Sequence, residues 1–141
     1  MTIPPELLRR NPLWEFIGGE MDVLEEGRAL MSIKLEDRHM NPGGIVHGGI
    51  LATLMDEATG RAIASVRGFD VMLERPHSTI EMNASFLAVA RVGDEIECEA
   101  RPLRVGRTLA VAEAEIRNRG TSDLIAKGRY SYAIPTQPRP R

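Results

Sequence analysis

A glycine-rich turn that runs directly into an apolar helix is the segment of this sequence best suited to chemistry. It contains Gly43-Gly44 and then His47-Gly48-Gly49. Glycine at a helix start lets a ligand approach the backbone closely, because no Cβ stands in the way. The first N–H groups of a helix have no intrahelical acceptor and lie at the positive end of the helix dipole. The backbone N–H of Gly48 is therefore a candidate for stabilising a developing oxyanion.

An acidic residue inside the same predicted helix is the second candidate. Apolar residues occupy most of the helix circumference between Ile50 and Ile63, which predicts a largely buried helix. An unpaired carboxylate in such a setting is costly. Asp56 and Glu57 are consistent with a solvated stripe, but the adjacent glycine turn favours a role for Asp56. In that role Asp56 directs water at a polarised carbonyl, and Glu57 is the structural member of the pair.

Two polar residues of the turn have competing interpretations. His47 is either a structural residue or a functional one that orients the turn or hydrogen-bonds a carbonyl, and its place at the helix start favours a functional role. Asn41 is either an ordinary Asn-Pro turn residue or a second polar contact for a ligand.

Helix geometry separates these candidates. His47 and Asp56 are nine residues apart, which places them roughly 13 Å apart along a helix axis and on nearly opposite sides of the helix. One helix therefore cannot bring its N-terminus and Asp56 to the same carbonyl. If both act on one substrate, they must come from two copies of the chain, and a two-fold dimer with two shared sites satisfies this requirement.

The remaining sequence predicts the elements that position the site. In chain order they are a short helix within 4–13, a strand, turn and strand at 14–25, a strand at 28–35, a helix at 47–66, and strands at 79–86, 95–101, 110–117 and 124–132. The last four, with turn signals between them, predict an antiparallel meander in which Thr79 shares the polar face with Glu81 and Asn83. Alanines at 110, 112 and 114 permit close approach of the helix. The predicted fold class is α+β, a curled antiparallel sheet around one central helix.

Composition and motif searches disfavour several classes of protein and site. The 141 residues fit one domain, predicted at 1–134, with a mobile tail at 135–141. Eighteen basic residues against 20 acidic ones, with no basic block, predict no nucleic-acid partner. No signal-like start and no apolar stretch of the ~20 residues that span a bilayer are present, so no membrane partner is predicted. The single Cys98 fits a reducing compartment, and the predicted location is cytoplasmic.

The sequence also lacks the motifs of two kinds of catalytic site. No serine stands in a Gly-x-Ser-x-Gly elbow, which argues against a nucleophilic triad. His39, His47 and His77 lack any familiar ligand spacing, so no metal site is predicted.

The spacing Asn41-x5-His47-Gly48-Gly49-x6-Asp56, followed by the predicted strands, resembles the hotdog-fold acyl-CoA thioesterases of the phenylacetate-degradation (PaaI-like) type. The resemblance covers about residues 28–134 and includes the strand Ile80-Glu81-Met82-Asn83 and the turn at 105–110. It implies a hotdog fold and hydrolysis of an acyl- or aryl-CoA thioester to free acid and coenzyme A.

The resemblance also implies roles for individual residues. Asp56 is the nucleophile or, with better support, the general base that activates water. The N–H of Gly48 polarises the thioester carbonyl, and Asn41 supplies a second polar contact. His47 supports the turn or the thioester end of the substrate. Thr79 stands where relatives have a serine that assists the site, although its strand phase points it to the polar face.

Other implied contacts are those of the substrate and of further subunits. Gly49 is placed with the substrate-binding residues, and Met72 and Leu73, in the predicted loop after the helix, are candidates by position for lining an acyl pocket. Arg104 and Arg107 are candidates for the phosphates of coenzyme A, an ordinary charged strand end being the alternative. The family needs no metal or redox cofactor, since coenzyme A is part of the substrate. Its members form dimers that pair into tetramers.

Two other functions are compatible with part of this pattern. A hotdog hydratase acting on enoyl thioesters uses a histidine–carboxylate pair, which His47 and Asp56 superficially resemble. A non-catalytic acyl-CoA sensor of this fold carries an added DNA-binding segment, for which 141 residues leave no room. The helix carboxylate at this spacing favours hydrolysis.

Overall fold

The computed structural model describes residues 11–140, which form three helices and six strands. The elements in chain order are α1 (Pro12–Ile17), β1 (Gly19–Glu25), β2 (Arg28–Lys34), α2 (Gly48–Arg67), α3 (Phe69–Glu74), β3 (Ser78–Phe86), β4 (Glu95–Val105), β5 (Leu109–Asn118) and β6 (Leu124–Ala133). A short 3-10 turn, Asp37–His39, lies between β2 and α2.

One antiparallel sheet curves around the long helix α2 and buries it. The strand order is β1-β2-β4-β5-β6-β3. The helix contributes fully buried side chains such as Leu54, Met55 and Ala58 to the core. Opposite them, β5 presents its alanine row, of which Ala112 is completely buried, so that the helix backbone can lie close to the sheet. The predicted α+β class, the central helix and the role of the alanines are confirmed.

The predicted meander is wrong at its first strand. β3 pairs with β6 rather than with β4, so the true meander is β4-β5-β6 and β3 lies at the sheet edge. The connection 87–94 is not a hairpin turn, because it leads from the edge strand β3 to β4, and β6 and β5 lie between these two strands in the sheet. Along this connection, the carbonyl of Ala90 accepts from the N–H of Val46, and the N–H of Gly93 donates to the carbonyl of Leu35. The turn signal at 92–94 was present, but it ends a crossover.

The predicted strand, turn and strand at 14–25 is also wrong in its first part. The helix α1 begins at Pro12, and the Asn11 side chain caps it by accepting from the N–H of Trp14. Gly18 ends it in the left-handed conformation, at a φ of 68°. Cap, proline and glycine are all local signals, and they outweigh the apolar pattern that suggested a strand. Residues 4–10 of the predicted N-terminal helix lie outside the described residues.

The ends of the described chain bear on two further predictions. In the segment 135–140, Arg139 donates from its backbone N–H to the carbonyl of Glu74 and from its guanidinium to Oγ of Ser78. The domain bounds and the mobility of the tail stay predictions. No helix within residues 11–140 is long and apolar enough to span a membrane.

The close approach of helix and sheet predicts sensitivity to added volume at Ala112. We expect Ala112→Leu to lower the free energy of unfolding by about 1–3 kcal/mol, because the extra carbons have no space between β5 and the core. Urea denaturation measures this change. The neighbouring exposed residue provides the control: Glu113→Leu should change stability by less than about 0.5 kcal/mol. Equal effects of the two substitutions would contradict the packing described here.

Candidate active site

The start of α2 leaves one backbone donor free. Nδ1 of His47 accepts a hydrogen bond from the N–H of Gly49 at 2.8 Å, and the His47 carbonyl accepts from Ile50 at 2.9 Å. The N–H of Gly48 has no acceptor among residues 11–140. His47 therefore caps the helix, and Gly48 presents its N–H to whatever lies against the helix end.

The two glycines of this turn serve different purposes. A Cβ on Gly49 would lie 2.9 Å from Nδ1 of His47, so a side chain there would displace the capping imidazole. The N–H of Gly49 is committed to His47 and is not presented to a ligand. A Cβ on Gly48 would meet only the ring of Phe86, at 3.9 Å, which is ordinary contact. Gly48 is thus free of steric demands from the fold, and the space above it is open.

That space is a cleft of about 320 Å³. Its walls are apolar apart from Asn41 and the backbone of Gly48, and they comprise Ile45, Val46, Leu51, Phe86, Leu87, Ala88 and Val89. Oδ1 of Asn41 accepts from the N–H groups of Gly43, at 2.9 Å, and Ile45, at 3.4 Å. The amide nitrogen of Asn41 has no acceptor among the described residues. Both interpretations of Asn41 therefore fit: its oxygen orders the turn, and its NH₂ is left for a ligand.

Asp56 lies two turns further along α2, in a separate polar cluster. Its Oδ1 accepts hydrogen bonds from Oγ1 of Thr79 at 2.7 Å and from the hydroxyl of Tyr132 at 2.9 Å. Its Oδ2 has no hydrogen-bond partner in the described part of the chain, and the residue is half-buried. One carboxylate oxygen is therefore held by the protein, and the other is available to a water molecule.

The position of Thr79 corrects the predicted strand phase. A β-bulge between Thr79 and Glu81 shifts the register of β3, so that Thr79 lies opposite Tyr132 and Glu81 lies opposite Ser131. Ile80 is the extra residue, and it moves Thr79 from the polar face to the helix face. The alternation that grouped Thr79 with Glu81 and Asn83 did not reveal this, because a bulge leaves no reliable mark in apolar periodicity.

Tyr132 is a site residue that sequence reasoning missed. The alternation of β6 placed it among the inward-facing residues, and it is 3% exposed. A buried tyrosine needs a partner for its hydroxyl, which was the one available signal. Burial and the adjacent Asp56 raise the pKa of the Tyr132 phenol well above its ordinary value, so the hydroxyl stays a donor.

The imidazole of His77 lies next to this cluster, in contact with the ring of Tyr132. Its Nε2 lies 3.1 Å from the carbonyl of Gly60, and its Nδ1 lies 2.9 Å from a guanidinium nitrogen of Arg67. A carbonyl only accepts and a guanidinium only donates, so the ring is neutral with its proton on Nε2. Burial, reinforced by the charge of Arg67, lowers the pKa of His77 to about 4.

The other predicted contacts lie elsewhere. Arg104 is near the end of β4 and Arg107 is in the turn to β5, where both are exposed and neither lines the cleft. Met72 and Leu73 lie on α3 rather than in a loop. Glu57 accepts a hydrogen bond from the amide of Asn11 at 2.9 Å, which agrees with a structural role.

Within one chain, the cleft at the start of α2 and the polar cluster around Asp56 do not form a single site. Asn41 and Gly48 line the cleft, whereas Asp56 and Thr79 do not. Because α2 is continuous from Gly48 to Arg67, the rise of the helix keeps Asp56 about 12 Å from Gly48 along the axis.

Comparison with known proteins identifies the family to which this chain belongs. A family model described as the thioesterase superfamily matches residues 43–125, which contain Gly48, Asp56 and Thr79. Human acyl-coenzyme A thioesterase 13 is 33% identical over 106 residues, which cover 74% of this chain and 71% of that protein.

Solved structures agree with the family match. The conserved protein PA5202 from Pseudomonas aeruginosa superposes with a TM-score of 0.84 at 32% identity, covering 94% of this chain and 100% of that one. Zebrafish thioesterase superfamily member 2 superposes with a TM-score of 0.79 at 31% identity, with 92% of each chain covered. The predicted resemblance to hotdog-fold PaaI-like thioesterases is confirmed.

The environment of His77 predicts a pH dependence of stability. Its pKa of about 4 in the folded state is below the ordinary value of about 6.5, so the unfolded chain binds the extra proton between these values. The contribution is complete above about pH 6.5 and is lost as the pH falls towards 4. His77→Gln keeps one donor and one acceptor but does not titrate.

Urea denaturation at two pH values measures this effect. Between about pH 7.5 and 5, we expect the unmodified protein to lose roughly 1–2 kcal/mol more stability than His77→Gln. The same loss in both proteins would show that His77 is not held neutral by the fold.

Proposed function

The chain belongs to the thioesterase superfamily, and from this premise we propose how it hydrolyses an acyl-CoA thioester to free acid and coenzyme A. The observation that carries the proposal is the hydrogen bonding of the Asp56 carboxylate. Its Oδ1 is fixed by two hydroxyl donors, and its Oδ2 is left free. A carboxylate oriented in this way suits a general base that binds and deprotonates one water molecule.

The thioester carbonyl lies against the helix start in this proposal. The free N–H of Gly48 and the NH₂ of Asn41 donate to its oxygen, and the positive end of the α2 dipole favours the charge that develops there. Water held by Oδ2 of Asp56 attacks the carbonyl carbon and gives its proton to the carboxylate. The tetrahedral intermediate then collapses, the carbon–sulfur bond breaks, and the proton on Asp56 passes to the departing thiolate. His47 acts by capping the helix and thereby orienting Gly48.

The exposed edge of β3 supports a dimer with shared active sites. The side chains of Ile80, Met82 and Phe86 are 60%, 51% and 53% exposed, although they belong to an apolar strand pattern. The outer edge of β3 has no neighbouring strand among the described residues. An apolar, unpaired edge is a template for pairing with another strand. We propose that β3 pairs antiparallel with β3 of a second copy about a two-fold axis.

Such a pairing brings the two half-sites together. Thr79, near one end of β3, bonds to Asp56, whereas Phe86, at the other end, lies over Gly48. Antiparallel pairing sets the Thr79 end of one strand beside the Phe86 end of its copy. Each site then combines Asp56 and Thr79 of one protomer with the Gly48 turn of the other. Further pairing of dimers into tetramers is an additional proposal, based on the family resemblance.

The residues named above supply a base and two carbonyl-oxygen donors, so we propose that hydrolysis needs no metal or redox cofactor. Contact of Arg104 and Arg107 with the phosphates of coenzyme A stays a prediction. A cytoplasmic location also stays a prediction.

The role of Asp56 is tested by a matched pair of substitutions on adjacent residues. Asp56→Asn should lower kcat roughly 100-fold or more, because the general base is lost while the size of the side chain is kept. Glu57→Gln should have little effect, since Glu57 bonds to Asn11 in the structural contact described above. The assay follows thiol release from a panel of acyl-CoA thioesters, with and without excess EDTA.

The same assay separates the competing functions. A hydratase adds water to an enoyl thioester without releasing thiol, and a binding protein releases none from any substrate. A larger defect in Glu57→Gln than in Asp56→Asn would refute the assignment of the base, and inhibition by EDTA would refute metal independence.

Shared active sites predict complementation between inactive subunits. Gly48→Ala keeps the N–H but puts a methyl group into the cleft, so we expect a large fall in kcat/KM with the helix intact. A mixed dimer of Asp56→Asn and Gly48→Ala subunits contains one site with both defects and one site with neither. Activity should return to about one working site per mixed dimer. If verified, folded heterodimers stay inactive, the site is not shared in this way.

A further inference from the structure

Two tyrosines of β6 reach the same helix but contact different groups. The hydroxyl of Tyr130 donates to the backbone carbonyl of Ala52 at 2.9 Å. The hydroxyl of Tyr132 lies 2.9 Å from Oδ1 of Asp56, 2.8 Å from its backbone carbonyl and 2.7 Å from Oγ1 of Thr59. Both tyrosines are almost completely buried, at 0% and 3% exposure. Neither side chain is placed to touch a substrate, and only Tyr132 touches the proposed base.

The single proton of Tyr132 has one preferred acceptor. Among the oxygen atoms around it, which include Oγ1 of Thr79, the carboxylate of Asp56 is the strongest acceptor, because a hydrogen bond to a charged acceptor is roughly twice as strong as a neutral one. The backbone carbonyl of Asp56 is a helix carbonyl within α2. The hydroxyl of Thr59 lies 2.7 Å from both the carbonyl of Met55 and the Tyr132 oxygen, so it can donate its proton to Tyr132. With Thr59 donating to Tyr132 and Tyr132 donating to Oδ1 of Asp56, each of these two contacts holds one proton.

The tyrosine ring is itself held in place. The imidazole of His77 packs edge-on against it, with the ring centroids 5.1 Å apart at 83°. His77 is fixed in turn by the carbonyl of Gly60 on α2 and by Arg67. A phenol with both its ring and its hydroxyl fixed restrains the carboxylate that it contacts, because rotation of Asp56 about χ1 or χ2 would break the bond.

We propose that Tyr132 is a positioning residue for hydrolysis, which fixes Asp56 with Oδ2 turned to the substrate water. The proposal rests on the proposed function, because it assigns Tyr132 a task only if Asp56 is the base. Thr79 shares the contact with Oδ1 but comes from β3 at the open edge of the sheet, whereas Tyr132 comes from the buried interior.

The charged and titratable neighbours of this cluster define what a pH profile reports. Arg61 and Arg67 of α2 face it with fixed positive charge, and Glu57 is directed to Asn11 instead. His77 precedes β3 and stays neutral above about pH 5, given its pKa of about 4. On β6, burial and Asp56 raise the pKa of Tyr130 far above its ordinary value. A shift of the acidic limb of the activity profile above about pH 5 therefore does not come from His77 or Tyr130.

Tyr132→Phe and Tyr130→Phe form a matched pair for the test. Each removes one hydroxyl from the same face of β6 and leaves the ring. For Tyr132→Phe we expect kcat to fall about 10-fold with KM changed less than about twofold, because binding groups are untouched. The acidic midpoint of its kcat–pH profile should rise by roughly one pH unit, because ionised Asp56 has lost a donor. Tyr130→Phe should leave both kcat and this midpoint unchanged.

A variant that keeps the hydrogen bond guards against an uninformative loss of folding. Replacing Tyr132 by 3-fluorotyrosine retains the ring and hydroxyl but makes the phenol a stronger donor. The acidic midpoint should then move to lower pH, opposite to the shift in Tyr132→Phe. A merely structural role for Tyr132 would move stability but not the midpoint.

The outcomes separate this proposal from the function on which it rests. If the unmodified protein releases no thiol, or if Asp56→Asn is fully active, the proposed function fails. If those results are as expected but Tyr132→Phe keeps the normal kcat and midpoint, only the positioning role is overturned. Equal losses in both phenylalanine variants with unshifted midpoints also overturn it. Opposite shifts in Tyr132→Phe and the fluorotyrosine protein, with Tyr130→Phe unaffected, establish it.

Discussion

The continuity of helix α2 from Gly48 to Arg67 determines how the proposed active site can be assembled. The N–H of Gly48, which is the oxyanion donor in our proposal, is available only because it lies in the first turn, where the backbone N–H has no intrahelical acceptor. The carboxylate of Asp56 is two turns further on, and a continuous helix cannot bend back to unite them. Activity from both groups thus requires a second chain. The unpaired apolar edge of β3, which has one half-site at each end, is the feature through which a second chain completes the site in our proposal.

The contrast between the two half-sites is one of rigidity and access. At the helix start, apolar walls and absent side chains create an open cleft, and the polar groups that remain are a backbone N–H and one amide. Around Asp56, by contrast, the hydroxyl groups of Thr79 and Tyr132 pack against the carboxylate and donate to it. Among the described residues, no buried side-chain nitrogen or oxygen lacks a hydrogen-bond partner. A base must be held in one orientation, whereas a carbonyl must be able to enter, and the two environments meet these needs.

Small residues make the arrangement possible on the sheet side. The alanines of β5 and the glycine at 128 let α2 approach closely enough for side chains of β6 to contact helix backbone atoms. Tyr130 and Tyr132 use that proximity to bond to carbonyls of Ala52 and Asp56. Bulkier residues on β5 would move the helix away and break these contacts. The packing of the core and the orientation of the proposed base are therefore linked.

The sequence by itself determined what local patterns determine. Periodicity and turn residues located the central helix and the individual strands. The spacing of the glycine turn and Asp56 gave the separation of the two proposed half-sites, because helix spacing is a property of the chain alone. Tertiary structure decided the rest. Strand order depends on where a connection travels, so β3 was paired with the wrong neighbour. The bulge at Ile80 and the contact of Tyr132 with Asp56 also join residues far apart in sequence. The bulge leaves no local signal, and a buried tyrosine indicates only that its hydroxyl has a partner, not which one. The energy that favours each arrangement exists only once the sheet has closed around the helix.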